Sequence, residues 1–388
     1  MAKIVLLWLD AFSSRYISND WSPFLSSTSK NRYATINPLF AYMSINDCFE
    51  TGVSINRHEI WNDHIFVGFD TEQKRLSSLF PAVVNLVDKF SPNDEINKVL
   101  RFVAFKLNNV SYATPHLIPA NLIGTFPVIW RDKKWPSIYD LLREHKLKCA
   151  RYEPKLTFTE NNLLRNIPKM MTRLDGLFVK LNSLDRLGHK YSPNSINVRN
   201  RVKYFDKAIR RLLKEMPRDT TLIIMSDHGM TPISKTINIM GCLSDNDFEF
   251  GRHYAAFVGA TYVSFWFKND FYKQRILSLM SSLDIGHFLT AEERVNAGID
   301  KVGRAFGEEI FVAKEHEVFF PEFYHRRAPP KGMHGFASCA YDAPVFMIYD
   351  DLFIELKEKT IDFVDIMPTI LKLLHLPIPQ HADGKPAI

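Results

Sequence analysis

Cysteine is scarce: Cys48, Cys149, Cys242 and Cys339 are spread through 388 residues, and no two form a CxxC pair. That spacing supports neither a disulfide framework nor a thiolate zinc knuckle, and it fits a reducing compartment. Long hydrophobic runs are also lacking. The amino terminus, MAKIVLLWLDAF, has six apolar residues in a row before Asp10, too few for a signal-peptide core. Nowhere does a run of about 18 apolar residues occur, so no transmembrane segment is expected and a soluble, cytoplasmic chain is. Charge of one sign is not dominant. The 49 Lys and Arg against 43 Asp and Glu leave +6, a mild attraction for anions that falls short of a nucleic-acid signature. No nucleic-acid partner is therefore expected, and a small phosphate-bearing substrate is weakly favoured. Repeats, low-complexity runs and linkers are absent too. What the chain has is apolar mass, at 46%, enough for one large α/β domain or two ordinary ones. Nothing in it speaks to oligomeric state.

Several short apolar runs end in polar residues: KIVLLWLDAF, LDGLFVKLNSLD, TTLIIMSDHGM and APVFMIYDD. Between them lie helical patterns such as Asn197 to Met216, where Val198, Val202, Phe205, Ile209 and Leu212 recur at helix spacing. This alternation predicts a mostly parallel sheet with helices on both faces, an α/β/α sandwich. In such sheets sites form beyond the carboxyl ends of strands, where Asp10, Asp185 and Asp227 would all fall. Two stretches break the pattern: about 62–136, rich in Phe and Leu and holding the loop YATPHLIPANLIGTFP, and about 254–322. Both read as insertions into one catalytic domain spanning 1–388, the first as a cap over the site.

Taken singly, the chemical candidates are weak, because an Asp after a strand commonly caps a helix and a neighbouring His is often just hydrogen-bonded. Asp227 and His228 stand side by side in IIMSDHGM. Asp185 and His189 stand four apart around a glycine in LDRLGHKYSP, a spacing that lets carboxylate and imidazole converge on one ion. His334 is flanked by glycines in KGMHGF, and Asp10 closes the first apolar run. Together they are three carboxylates and three imidazoles at strand ends. That is enough for two zinc-like ions with three protein ligands each and an open position.

This set, in this order, resembles the alkaline phosphatase superfamily, and most closely its type I phosphodiesterase and nucleotide pyrophosphatase branch. WLDAF, FETGVSINRHEIW, LDRLGHKYSP, IIMSDHGM and GMHGF carry the resemblance, with VDIMPTILKLLHLPIP and ADGKP near the carboxyl end. It covers nearly the whole chain except the two insertions. It implies the superfamily's mostly parallel α/β/α fold and a site of two divalent metal ions, zinc first, with manganese or magnesium as alternatives. Asp10, Ser44, Asp227 and His228 would hold one ion, and Asp185, His189 and His334 the other. The branch places a Ser or Thr nucleophile nine residues before the Thr of a TG pair, which counts back from Thr51 to Tyr42. Ser44, seven back, is the nearest hydroxyl of the right kind. The branch's Asn three residues after the nucleophile becomes Asp47 if Ser44 attacks, and Asn46 is the nearest group suited to binding phosphoryl oxygens. No CxPxR segment occurs, so the sulfatase branch is not indicated.

The resemblance thus implies a phosphoric ester hydrolase working through a phospho-serine intermediate. A phosphodiesterase acting on a nucleotide, lipid or sugar-linked ester is favoured over a monoesterase, because neither Arg15 nor Arg57 is spaced to meet the extra charge of a monoester. Transfer of the phosphoryl group to an acceptor other than water stays open. So does a metal-binding relative without turnover, given Met43 and Asp47 where the branch has other residues.

Overall fold

A computed structural model describes residues 2–62, 65–66, 68–69, 86–87, 94–107, 134–153, 157–324, 328–337, 343–351 and 354–388. Most of the first expected insertion, including the loop His116 to Pro127, lies outside the described residues. The chain divides into two compact units: Met1–His58 with Lys133–Pro232 and Lys331–Ile388, and Glu59–Asp132 with Ile233–Pro330.

The first unit is built on β1 (Lys3–Leu9), β2 (Tyr33–Ile36), β3 (Cys149–Tyr152), β4 (Gly176–Leu181), β5 (Thr220–Met225) and two later strands. Across the sheet, with β14 (Val345–Tyr349) and β15 (Thr360–Ile361), the order is β15-β2-β14-β5-β1-β4-β3. β1 pairs in parallel with both β4 and β5, from Ile4 opposite Gly176 and Lys3 opposite Thr220. β3 is parallel to β4 and β15 to β2, while β14 opposes both β5 and β2. Only β14 therefore runs against the rest. Being reversed, it brings its amino end, and the chain leading into it, to the edge where the parallel strands end.

β1 lacks alternation because both its faces are covered: from Ile4 to Leu9 every residue is buried. Val5, Leu7 and Leu9 pack with Leu164, Ile167 and Met171 of the helix Thr157–Met171 and with Val198, Val202, Phe205, Ile209 and Leu212 of the helix Ile196–Glu215. That is the apolar face expected between Asn197 and Met216. Each such side chain, fully removed from water, contributes about 1.5–3 kcal/mol. On the opposite face Trp8 meets Phe49 of the helix Ile45–Thr51 edge-on, with ring centroids 5.4 Å apart. Helices on both sides of the sheet make the three-layer α/β/α arrangement.

The TG pair has a structural reason. Gly52 ends the helix Ile45–Thr51 at φ +66, and a Cβ there would lie 2.7 Å from Met367 Cε. Its carbonyl receives the backbone N–H of Asp383, from the ADGKP segment, at 2.8 Å.

The second unit contains an antiparallel sheet ordered β10 (Gly286–Phe288), β11 (Glu309–Ala313), β9 (Tyr262–Phe267), β8 (Tyr254–Val258). A separate pair joins β12 (Glu317–Phe319) to β7 (Lys235–Ile237). Here Asn62 donates from Nδ2 to the Tyr262 hydroxyl at 2.8 Å beside Trp61, so a buried amide and phenol satisfy each other. No described helix of the chain is long and apolar enough to cross a membrane.

Candidate active site

All seven sequence candidates for metal ligation, the six aspartates and histidines and Ser44, belong to the first unit. Asp10 follows β1 directly, and its N–H still bonds Leu181 O at 3.1 Å, which extends the β1–β4 ladder by one residue. The chain then turns at Ala11, φ 65, and the loops after β1 and β5 are tied together. Phe12 N–H donates to Ser226 Oγ at 2.9 Å, and Ser226 Oγ donates to His228 O at 2.6 Å. Asp227 and His228 thereby come to face Asp10: His228 Nε2 lies 3.2 Å from Asp10 Oδ1 and 3.7 Å from Asp227 Oδ1. All three residues are buried.

Asp185 and His189 sit on the helix Ser183–Tyr191 that follows β4, with His189 Nε2 3.0 Å from Asp185 Oδ1. His334 follows the short strand β13 (Gly332–Met333), which pairs with β6 (Thr231–Pro232) just after the Asp227–His228 loop. That pairing carries His334 in: its Nε2 is 3.7 Å from Asp185 Oδ1, and its ring stacks on His228 with centroids 3.7 Å apart. A Cβ on Gly332 would lie 2.7 Å from Gly188 O, so this close approach requires glycine.

Two of the imidazoles are oriented by backbone. His228 Nδ1 is 2.8 Å from Gly229 O and His189 Nδ1 is 2.7 Å from Gly332 O. A carbonyl only accepts, so Nδ1 carries the proton and Nε2 is turned to the carboxylates, the orientation usual for histidine ligands. Ligand atoms of Asp10, Asp227 and His228 lie within 4.8 Å of one another, as do those of Asp185, His228 and His334. The structure thus gathers the six residues, but places His228 within reach of both groups and joins His189 through Asp185.

The electrostatics follow from this crowding. Burial, then the charges of Asp227 and Asp185, push the Asp10 carboxyl up against the pull of Lys180. Burial raises Asp185 and Asp227 as well, yet the imidazoles in one case and Lys180 with His228 in the other hold both below the usual carboxylate range. Burial lowers His228, but Asp227 and Asp10 outweigh it and lift the imidazole to about 10. Asp10 Oδ1 and Asp185 Oδ1 are buried and make no hydrogen bond of good geometry, the condition a divalent ion relieves. Mixed carboxylate and imidazole donors of this kind suit a divalent metal ion.

Ser44 is the residue before the helix Ile45–Thr51, buried, at φ 58, and its hydroxyl caps no helix N–H. Asn46 is exposed on the first turn of that helix and Asp47 is half-buried there. Tyr42 packs its ring against His228 and His334, with centroids 4.5 and 5.0 Å away. Arg57 is engaged by Asp383 and His381 O, and Arg15 by Asn194 and Met230 O.

Two features escaped the sequence. Lys180 projects from β4 with Nζ 3.3 Å from Asp10 Oδ2 and 3.1 Å from Asp227 Oδ2; a lysine inside the apolar run GLFVKL was its only signal. Glu160, fully buried, accepts the N–H groups of Asn182 and Ser183 at 2.8 and 2.9 Å and pairs with Arg201 at 2.5 Å. Glu160 so anchors the start of the helix that bears Asp185 and His189, a contact across distant segments with no local pattern.

A mostly parallel α/β sheet with aspartates and histidines gathered beyond its strand ends is the arrangement of the alkaline phosphatase superfamily. Within it, the chain belongs to the type I phosphodiesterase / nucleotide pyrophosphatase family, whose model matches residues 102–349. Asp10 and Ser44 precede that match. Murine ectonucleotide pyrophosphatase / phosphodiesterase 5, in an inactive form in complex with AMP, shares the fold with a TM-score of 0.66 at 15% identity, over 99% of this chain and 98% of that one. The human protein of the same name gives 0.66 and 15%, over 99% and 97%. Among sequences, GPI ethanolamine phosphate transferase 2 of Debaryomyces hansenii is 36% identical over 80 residues, 20% of this chain and 9% of that protein. GPI ethanolamine phosphate transferase 3 of Eremothecium gossypii is 33% identical over 75 residues, 19% and 7%. Those matches take in only a small part of the relatives' length.

Proposed function

We propose that the chain cleaves a phosphodiester at a site of two divalent metal ions, with Ser44 as nucleophile. The observation that carries this reading is the pair of converging donor groups, Asp10 with Asp227 and His228, and Asp185 with His228 and His334. Asp10, Ser44, Asp227 and His228 would hold one ion, and Asp185, His189 and His334 the other. Bound there, the ions supply charge stabilisation and lower the pKa of a hydroxyl or water beside them. Ser44 Oγ attacks phosphorus and gives its proton to solvent, the ester P–O bond breaks, and the leaving oxygen takes the electron pair and picks up a proton to depart as the alcohol. Water attack on phospho-Ser44 then frees the serine and releases the phosphate product. Asn46 is assigned to the phosphoryl oxygens. A nucleotide, lipid or sugar-linked ester is the substrate class.

A diester is preferred because Arg15 and Arg57 are bonded elsewhere and Lys180 is held by two carboxylates, leaving none of these three for the extra charge of a monoester. Zinc-loaded protein is expected to carry close to two equivalents of metal and to hydrolyse bis-p-nitrophenyl phosphate with a higher kcat/KM than p-nitrophenyl phosphate. Asp227→Ala is expected to abolish that turnover. A preference of more than about tenfold for the monoester, about 1.4 kcal/mol in the transition state, reverses the assignment.

The ethanolamine phosphate transferases among its sequence relatives favour a second reading, transfer to an alcohol. Adding glycerol to the diester reaction separates the two: a hydrolase releases mainly the water product, a transferase mainly the glycerol ester.

A further inference from the structure

The contacts of Lys180 divide the two carboxylates it touches. Its Nζ lies against the Oδ2 atoms of Asp10 and Asp227, at 3.3 and 3.1 Å, while the Oδ1 atoms of both residues face His228 Nε2, at 3.2 and 3.7 Å. The side chain is fixed there by register. Lys180 on β4 is paired with Trp8 on β1, and its Nζ sits 4.4 Å from the centre of the Trp8 ring, so indole face and carboxylates hold one cation between them.

We infer that Lys180 is a built-in competitor of the ion held by Asp10, Asp227 and His228, so that the two metal positions are unequal and fill in sequence. This rests on the two-ion reading above. An ion held by the carboxylates of Asp10 and Asp227 would share both of them with the Lys180 ammonium, which already lies against their Oδ2 atoms. Repulsion between a doubly charged ion and a positive charge held by the same two carboxylates would weaken binding. Lys180 also orients both carboxylates, which strengthens binding, but an orienting hydrogen bond is worth about 10–100-fold in affinity. Coulomb repulsion between two positive charges held by the same buried carboxylates is the larger effect. Removing the lysine also leaves Asp10 and Asp227 repelling each other, which a divalent ion relieves. The position of Asp185, His189 and His334 therefore fills first and the Lys180 side second.

The test is equilibrium dialysis of the full chain against buffered free zinc, with bound metal read by elemental analysis. The parent is expected to bind one equivalent at least about tenfold more tightly than a second. Lys180→Met is expected to tighten the second equivalent by at least about tenfold, and Lys180→Arg, which keeps the charge, to leave it within about threefold of the parent. Lys180→Gln, neutral but still a donor, repeats the measurement in a milder background, and circular dichroism checks that each variant is folded. Two equal equivalents in the parent, or a second equivalent no tighter in the neutral variants, overturns the inference and leaves the two-ion reading intact. A parent that binds no zinc overturns both.

Discussion

Ser44 and Tyr42 divide the question of the nucleophile. Tyr42 holds the position that the family's spacing selects, and its ring lies against His228 and His334. Ser44 is buried at the start of the next helix, with its hydroxyl not used as a cap. Ser44→Ala is expected to lower diester turnover by about a thousandfold or more with metal content unchanged, because the other ligands remain. Tyr42→Phe keeps the ring packing and loses only the hydroxyl, so turnover within about tenfold of the parent is expected. Activity retained by the alanine variant and lost in the phenylalanine variant would move the role to Tyr42.

At the scale of elements, the helix Ser183–Tyr191 matters most, since it carries Asp185 and His189 and is held at its start by buried Glu160. Glu160 is paired with Arg201, which also donates to Ser183 Oγ and Asn161 Oδ1. Glu160→Ala leaves a buried guanidinium without its main counter-charge and two N–H groups without acceptors. The expected cost is about 3–5 kcal/mol in a urea melt. Replacing both residues by methionine is expected to recover only the part of that loss due to the unpaired buried charge, because the N–H groups of Asn182 and Ser183 still lack their acceptor. If the single replacement costs under about 1 kcal/mol, the pair is not the anchor.

For the molecule as a whole, His58 sets part of the acid sensitivity. Burial pushes its imidazole down to about 4, with Asp383 opposing only weakly, and Cys48 Sγ lies 3.8 Å away. The folded chain therefore binds this proton less readily than the unfolded chain between its ordinary value of 6.5 and about 4. Stability from this source is fully present above that window and is lost as pH falls through it. Because the side chain is partly exposed, the loss is discounted to about 1–2 kcal/mol. Urea melts at pH 7 and pH 5 are expected to show a steeper fall for the parent than for His58→Gln. Parallel falls would remove His58 from the account.

The alternation of apolar runs with helical spacing was enough to specify a parallel α/β sheet, because strands such as Lys3–Leu9 are covered on both faces and read as unbroken apolar runs. The same punctuation singled out Asp10, Asp185, His189, Asp227, His228 and His334 as candidates, since polar residues that follow apolar runs carry local signals. Which of them meet was decided by tertiary structure. The reversed β14 and the β6–β13 pairing bring His334 onto His228, and the β1–β4 register sets Lys180 between Asp10 and Asp227. Those contacts join residues tens to hundreds of positions apart. No spacing along the chain encodes them, because they follow from strand order and register.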